Sequence, residues 1–525
     1  FLAKKSLISS LRKSFHPTFL LRVKMLSSII KEIDHDCTGA LFQGKNRLEN
    51  MYDIIIIGAG ITGTMLAWKL SEYELNIAVL EKENDVANGA TMANSAIIHT
   101  GYDPQDGTLK AELNVKGASQ YKTICERLHC AYREVGAYVA ACGEEEEAKL
   151  SDLEQRAKSR KIPYHIMSGV EARREEPNLA DGVTRVLDFY TTAVIYPWEV
   201  ADACMEAAVE NGAELFLSTS CERIEKNGEV FAVHSGQQIF ETKFIVNAAG
   251  VHAEEIHRMA AKPSWHSTPK RGEYYVLDHD VKLVNHIIFP VPSEKYGKGV
   301  LAVPTVYGNT LIGPDSEEIS DGENNENSSA GLSYVRTNIA KTVKNAPLTR
   351  SIRTFAGVRP ATDRQDFIIE EAEEVKHFID AASIESPGLA SAPAIADRVM
   401  EILAGGGLVM KKSEYVKERK APLVLANMSE EERNALIRKN PAYGKIICRC
   451  EQISEGEIVD CIRRNVGAHT IKGVKKRVRP GMGRCQGGFC EPQVAEILAR
   501  ELGIPLEEVV LDTPKSFILE GNNRQ

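Results

Sequence analysis

Two cysteine pairs near the end of the chain have the type and spacing of metal ligands. Cys448 and Cys450 form a C-x-C, and Cys485 and Cys490 form a C-x4-C beginning thirty-four residues later. Two thiols one residue apart cannot both enter a packed core, yet both can reach one iron. The second pair lies in Gly481-Met482-Gly483-Arg484-Cys485-Gln486-Gly487-Gly488-Phe489-Cys490. Its glycines let the backbone curl around sulfur and aim N–H groups at it. Four thiolates are the usual ligand set of a 2Fe–2S cluster. Zinc is the rival, but its structural sites space cysteines about two to four residues apart, which C-x-C does not match. Such a chain moves electrons.

A second chemical signature lies near the other end. Residues 52–57 are rich in β-branched side chains and lead into Gly58-Ala59-Gly60-Ile61-Thr62-Gly63, then a helical stretch through Leu70. Residues 76–80 form another apolar strand ending at Glu81. Strand, G-x-G-x-x-G, helix, strand and terminal acid predict a dinucleotide-binding unit. Gly58, Gly60 and Gly63 allow a tight turn, a close approach to pyrophosphate and tight helix–strand packing. Ile61 and Thr62 open a helix whose N-terminus faces the phosphates. Glu81 accepts from ribose hydroxyls.

The elements that must position these groups suit 525 residues, enough for two or three domains. Apolar content of 43% and charged content of 26% are those of a globular protein. A net charge of −9 argues against nucleic acid as a partner. The other cysteines (Cys37, Cys125, Cys130, Cys142, Cys204, Cys221 and Cys461) lack ligand spacing and point to a reducing cytosol. No apolar run approaches the ~20 residues that span a bilayer. The expected location is cytoplasmic, with peripheral association at the inner face of a membrane left open. Residues 1–50 are basic and acid-poor, reading either as a leader or, as we prefer, as sequence upstream of a start at Met51.

The expected division is 51–405 for an oxidoreductase domain, 406–444 for a linker or small connecting helices, 445–505 for the cluster domain and 506–525 for a tail. Within the first, 51–101, 197–260 and 355–405 build the dinucleotide-binding part. Residues 102–196 and 261–354 build a substrate part, where 274–277, 299–303 and 310–312 predict an antiparallel sheet. A helix over 197–211, strands at 214–217, 244–246 and 378–381, and a helix from about 392 to 403 complete the first part. Residues 316–329 read as a solvated loop. In the cluster domain, 454–464 and 491–502 read as helices. The fold class is α/β: a Rossmann-like domain with an antiparallel substrate sheet and a small α-rich C-terminal domain.

Residues 51–405 resemble the D-amino-acid-oxidase-like flavoprotein superfamily. The resemblance is carried by Gly58–Gly63 with Glu81, Asn94-Ser95-Ala96-Ile97-Ile98-His99-Thr100-Gly101, Asn247-Ala248-Ala249-Gly250, Gly357-Val358-Arg359-Pro360 and Glu385-Ser386-Pro387-Gly388-Leu389. The stretches Gly107-Thr108-Leu109-Lys110-Ala111, Glu176-Pro177-Asn178-Leu179 and Arg271-Gly272-Glu273-Tyr274-Tyr275 look like FAD-dependent glycerol-3-phosphate dehydrogenases or oxidases, and equally like L-2-hydroxyglutarate oxidases. Residues 445–500 resemble the bacterioferritin-associated-ferredoxin-like 2Fe–2S domain appended to anaerobic glycerol-3-phosphate dehydrogenases. One departure stands out. The common membrane-associated glycerol-3-phosphate dehydrogenases carry an arginine four residues after the motif histidine, where this chain has Asp103.

The resemblance implies FAD held by Gly58, Gly60, Ile61, Thr62, Gly63, Glu81, Lys82, Thr91, Asn94, Ser95, Ala249, Gly250, Ser386, Pro387, Gly388 and Leu389. It implies a small anionic hydroxy substrate, oxidised at its C–H with His99 as the base, since imidazole titrates near working pH. Arg359 presents a planar fork to phosphate or carboxylate, and Ser95, Lys270, Arg271 and Tyr274 are further substrate contacts. Tyr274 and Tyr275 alternate along a strand, so only one faces the substrate. The helix start near 386–389 would favour anionic reduced flavin. The expected reaction converts sn-glycerol 3-phosphate to dihydroxyacetone phosphate, electrons leaving through the cluster to a redox protein or a quinone. Lys472, Lys475, Lys476, Arg477, Arg479 and Arg484 would steer an acidic partner, or form a solvated face. The alternatives are a 2-hydroxy-acid oxidase of the L-2-hydroxyglutarate type and a non-catalytic electron-transfer subunit, with an amine or opine oxidase as a lesser rival.

Overall fold

In the computed structural model, residues 51–292, 299–407 and 410–521 are described. The expectations for residues 1–50, including Cys37, lie outside them.

Strand β1 (Tyr52–Ile57) is buried throughout its isoleucine run, as a strand covered on both faces must be. It feeds helix α1 (Ile61–Leu70) and then β2 (Ile77–Leu80), which pairs with it in parallel. Helix α2 (Leu109–Ala118) and α3 (Pro197–Glu210) follow, then β3 (Gln238–Asn247), which runs parallel to β1 on its other side. Ile57 lies opposite both Leu80 and Asn247. Three carboxyl ends therefore align, and chain order places their continuations (Gly58, Glu81 and Ala248) side by side. A crevice outside the carboxyl ends of parallel strands is where such sheets bind ligands.

The second sheet is built around β4 (Lys270–Leu277), which pairs antiparallel with β5 (Ser351–Arg359). It is largely antiparallel, with one parallel pair, Ile287–Pro290 against Ala137–Ala141. Strand β6 (Phe378–Ala382) returns the chain to the first sheet beside β3. Helix α4 (Gly388–Gly405) begins four residues before its expected start. Its interior Pro393 has no N–H to give the Leu389 carbonyl, and that carbonyl instead accepts from the Tyr121 hydroxyl at 2.5 Å. A partner from α-helical residue 121, remote in sequence, lets the helix run through a proline.

The segment expected as a solvated loop at 316–329 is in part a strand and a cover. Glu317 and Glu318 pair with Arg271 and Lys270 of β4. Glu323 is held by Lys82 at 2.8 Å and His252 at 2.9 Å. The 406–444 stretch contains a helix, Glu430–Lys439, with a Ser429/Glu432 capping box.

Three helices form the C-terminal part: α5 (Glu455–Arg463), α6 (Ile471–Val478) and α7 (Glu491–Leu502). Ile458, Val474 and Leu498 meet in a small core of their own. Helix α6 was not expected, because its lysines and Gly473 carry a weak apolar stripe. Thr470 caps it, its hydroxyl accepting from Gly473 N–H at 2.8 Å. The described residues from Tyr52 onward form one compact unit.

Candidate functional site

A cavity of about 1110 Å³ opens at the aligned strand ends and extends to the β4–β5 sheet. Ordinary ligand sites occupy roughly 300–1,000 Å³, so this one suits a dinucleotide together with a substrate. Its wall includes Gly58, Gly60, Ile61, Thr62, Glu81, Lys82, Thr91, Asn94, Ser95, Ala249, Gly250, Ser386, Pro387, Gly388 and Leu389. Gly63 lies just behind, where a Cβ would strike the Gly58 carbonyl. Gly58 has φ +106°, and a Cβ there would stand 2.5 Å from the Ala248 carbonyl oxygen. The turn is thus a cradle that only glycines leave open.

The first residues of α1, Ile61 and Thr62, form part of the cradle wall, and Ile61 N–H donates to Thr91 Oγ1 at 2.9 Å. Glu81 accepts from Ala59 N–H at 2.7 Å and from Glu83 N–H at 2.9 Å. Burial pushes its carboxyl above the usual range, and these two donors oppose the shift. The early start of α4 brings its N-terminus to the cavity wall at Gly388. These features fit a flavin dinucleotide.

The far end of the cavity is lined by His99, Ser95, Lys270, Tyr274 and Arg359. Lys270 and Arg359 lie directly opposite each other across β4 and β5. Directly opposed residues have Cβ atoms ~4.5–5.5 Å apart, where like charges repel unless an anion lies between them. Arg359 Nη2 donates to the Asp315 carbonyl at 2.8 Å. It crosses β4 at Gly272, where a Cβ would stand 2.6 Å from Nη2. Gly272→Ala should therefore displace the guanidinium. We expect KM for the anionic substrate to rise about tenfold and, because the new Cβ would also stand 2.9 Å from Pro314 Cβ, the melting temperature to fall by a few degrees, as steady-state kinetics and thermal denaturation will report.

Ser95 Oγ and Tyr274 OH are 3.0 Å apart, and the Tyr274 ring stacks on Phe355 at 4.7 Å. His99 is 9% exposed, and its ring tilts against Phe289 at 5.5 Å. Its carbonyl accepts from Asn114 Nδ2 at 2.7 Å, which fixes the backbone from behind. Asp103 also lines the cavity.

One expected substrate contact, Arg271, lies outside the cavity wall. Arg271 follows Lys270 on β4 and so takes the opposite face. It is buried there, donating to Glu317 at 2.6 Å and to Asn324 at 3.0 Å. Tyr275 shares that side, donating to the Leu332 carbonyl at 3.3 Å. Among the wall residues the sequence did not place there are three from beyond the oxidoreductase part. Lys472, Asp512 and Thr513 come from the C-terminal part, with Lys472 and Asp512 in an ion pair. They are distant in sequence from every motif of the cavity.

The basic stretch expected to steer a partner, or to lie solvated, is mostly turned inward. Lys476 and Arg477 are buried against Asp85, Arg479 binds Glu451 and the Tyr196 hydroxyl at 2.8 Å each, and Arg484 pairs with Asp278 and Asp280. Burial lowers Lys475 to about 8. Lys476, Arg477 and Arg484 dock the two parts of the chain onto each other, because Asp85, Asp202, Asp278 and Asp280 of the first part face them.

The four expected metal ligands meet as two facing pairs, each with one cysteine from either motif. Cys450 and Cys485 sulfurs are 3.7 Å apart. The Cys490 thiol donates to Cys448, lowering it to about 6 against the opposing effect of burial. Backbone N–H groups of Gly481, Glu451 and Cys450 also point at the Cys448 sulfur. Among the described residues no three His, Cys, Asp or Glu side chains group around one ion. Two thiols for each of two irons, with N–H groups on sulfur, fit a 2Fe–2S cluster. Gly483 is required here, since a Cβ would collide with that of Cys450. Cys485→Ser should abolish the cluster. The check is iron content and the visible spectrum after anaerobic purification; two irons per chain in the variant would contradict the ligand set.

A dinucleotide crevice joined to a thiolate cluster defines a flavin and iron–sulfur oxidoreductase. The chain belongs to the FAD dependent oxidoreductase family, whose profile matches residues 53–402, and residues 446–500 match the BFD-like [2Fe-2S] binding domain. It is 46% identical over 474 residues to a glycerol 3-phosphate dehydrogenase of Caloramator mitchellensis, covering 90% of this chain and 98% of that one. An L-2-hydroxyglutarate dehydrogenase of Salmonella houtenae is 30% identical over 51% of this chain and 64% of its own. Among solved structures, the dithionite-reduced L-alpha-glycerophosphate oxidase of Mycoplasma pneumoniae with FAD bound superposes with a TM-score of 0.68. It is 27% identical and covers 71% of this chain and 100% of that one. The protein is an FAD-dependent enzyme with a 2Fe–2S domain.

Proposed function

We propose that the enzyme oxidises sn-glycerol 3-phosphate to dihydroxyacetone phosphate. The observation that carries this reading is the opposition of Lys270 and Arg359 in the cavity wall. Two cations in register suit a phosphate dianion, which takes a fork from arginine and a point charge from lysine. The near full-length likeness to a glycerol 3-phosphate dehydrogenase supports the same substrate.

In this reading His99 takes the hydroxyl proton as the C–H bond breaks. Ser95 and Tyr274, hydrogen-bonded to each other, orient the substrate hydroxyls. Bound FAD supplies the hydride acceptor and the cluster carries single electrons onward. We divide the chain for these tasks as 51–405 and 445–505. Cys450 is exposed, and Phe489 beside Cys490 is 80% exposed, which leaves the cluster edge open to an acceptor. That acceptor is a redox protein or a quinone reached from the inner face of a membrane. Among the described residues no helix is long and apolar enough to cross one.

Anaerobic titration of the intact protein tests the reading, with flavin and cluster absorption followed together. sn-Glycerol 3-phosphate should bleach both. Bleaching by L-2-hydroxyglutarate alone would transfer the enzyme to the 2-hydroxy acids, and bleaching by neither would make it an electron relay.

A further inference from the structure

The cavity wall between Glu83 and Thr91 has no regular secondary structure. It is joined to the phosphate-side turn by Ala87 N–H, which donates to the Ala59 carbonyl at 3.0 Å. Its outer side is held by helix α6 of the cluster-bearing part. Lys476 Nζ donates to the Val86 carbonyl at 2.7 Å and to Asn88 Oδ1 at 2.8 Å, and lies 3.0 Å from Asp85. Arg477 grips both oxygens of Asp85 at 2.8 Å and reaches Asp202 of α3 at 3.1 Å. From the same region of α3, Trp198 Nε1 donates to the Lys476 carbonyl at 3.1 Å.

Two cations and two carboxylates thus close on one another with side chains only 2–4% exposed. Removing the cations would leave Asp85 and Asp202 buried without a countercharge, a costly state relieved by taking up a proton or by moving the 84–88 chain toward water. That chain is continuous with Thr91, whose hydroxyl holds the first N–H of α1. One turn along α6, Lys472 lines the cavity itself.

We propose that α6 is a positioning element of the FAD site, with Lys476 and Arg477 holding residues 85–88 in the shape that receives the dinucleotide. The cluster-bearing part is then a structural half of the flavin site as well as an electron carrier. Because coupling between sites is reciprocal, FAD must in turn steady α6. This holds whichever hydroxy substrate is oxidised.

The test begins with protein that has lost FAD but kept its cluster. Wild type and Lys476→Met are titrated with FAD, and quenching of flavin fluorescence gives Kd. Methionine keeps the apolar stem and leaves Arg477 on Asp85. A rise in Kd of about tenfold, with the visible circular dichroism of the cluster unchanged, is expected; a rise below threefold overturns the proposal. A second arm uses wild type alone. Hydrogen exchange at residues 471–478 should slow several-fold when FAD binds, and exchange there that ignores FAD overturns the proposal irrespective of the variant.

Discussion

His99→Gln should lower kcat about 10²–10⁴-fold, the usual contribution of a positioned general base, while FAD remains bound. That loss corresponds to roughly 3–5 kcal/mol of transition-state stabilisation. Glutamine keeps a polar group of similar reach but accepts no proton near neutral pH. The imidazole belongs to the cavity wall, packs on Phe289, and has its backbone carbonyl tied to Asn114. Its placement thus comes from the surrounding core, and the substitution removes chemistry more than structure. Stopped-flow reduction of the flavin by sn-glycerol 3-phosphate is the direct measurement. A reduction rate within tenfold of wild type would remove His99 from the role of base.

Arg359→Met should cut kcat/KM about 10²–10³-fold, mostly through KM. Losing one partner of a buried, hydrogen-bonded charge pair costs about 2–5 kcal/mol, and here the orphaned partner would be the substrate's anionic group. Lys270 remains opposite to retain part of the binding. Arg359→Lys should recover only part of the loss, because an ammonium lacks the two parallel donors of the fork. Uniform binding loss raises KM and leaves kcat, which separates this residue from His99. An unchanged KM in Arg359→Met would move the anion site elsewhere in the cavity.

The two sites differ in how much of each was legible in sequence. Gly58, Gly60, Gly63 and Glu81 span one strand–turn–helix–strand unit, so spacing alone brings them together, and the cavity wall gathers them as expected apart from Gly63, which sits just behind. The cysteine motifs were legible for the same reason. Alternation along β4 lets only one of Lys270 and Arg271 face the cavity, although both were expected to touch the substrate, and it does not say which one. The phase is fixed by pairing with β5 and with Glu317–Glu318, contacts remote in sequence.

Helix α4 shows the same limit. Pro393 argues locally for a helix starting near it, and the Tyr121 hydroxyl on the freed Leu389 carbonyl moves the start back to Gly388. The lysines and arginines of α6 read as a surface because charges are costly to bury, and they are buried because Asp85 and Asp202 meet them.

What the sequence determined by itself was the chemistry of the cofactors, since glycine turns, a terminal acid and paired thiols act through spacing along the chain. What only the tertiary structure decided was which cations line the cavity and how the two parts join. There Lys270 faces Arg359, and α6 props the flavin wall, through pairings whose energy depends on burial and register rather than on sequence distance.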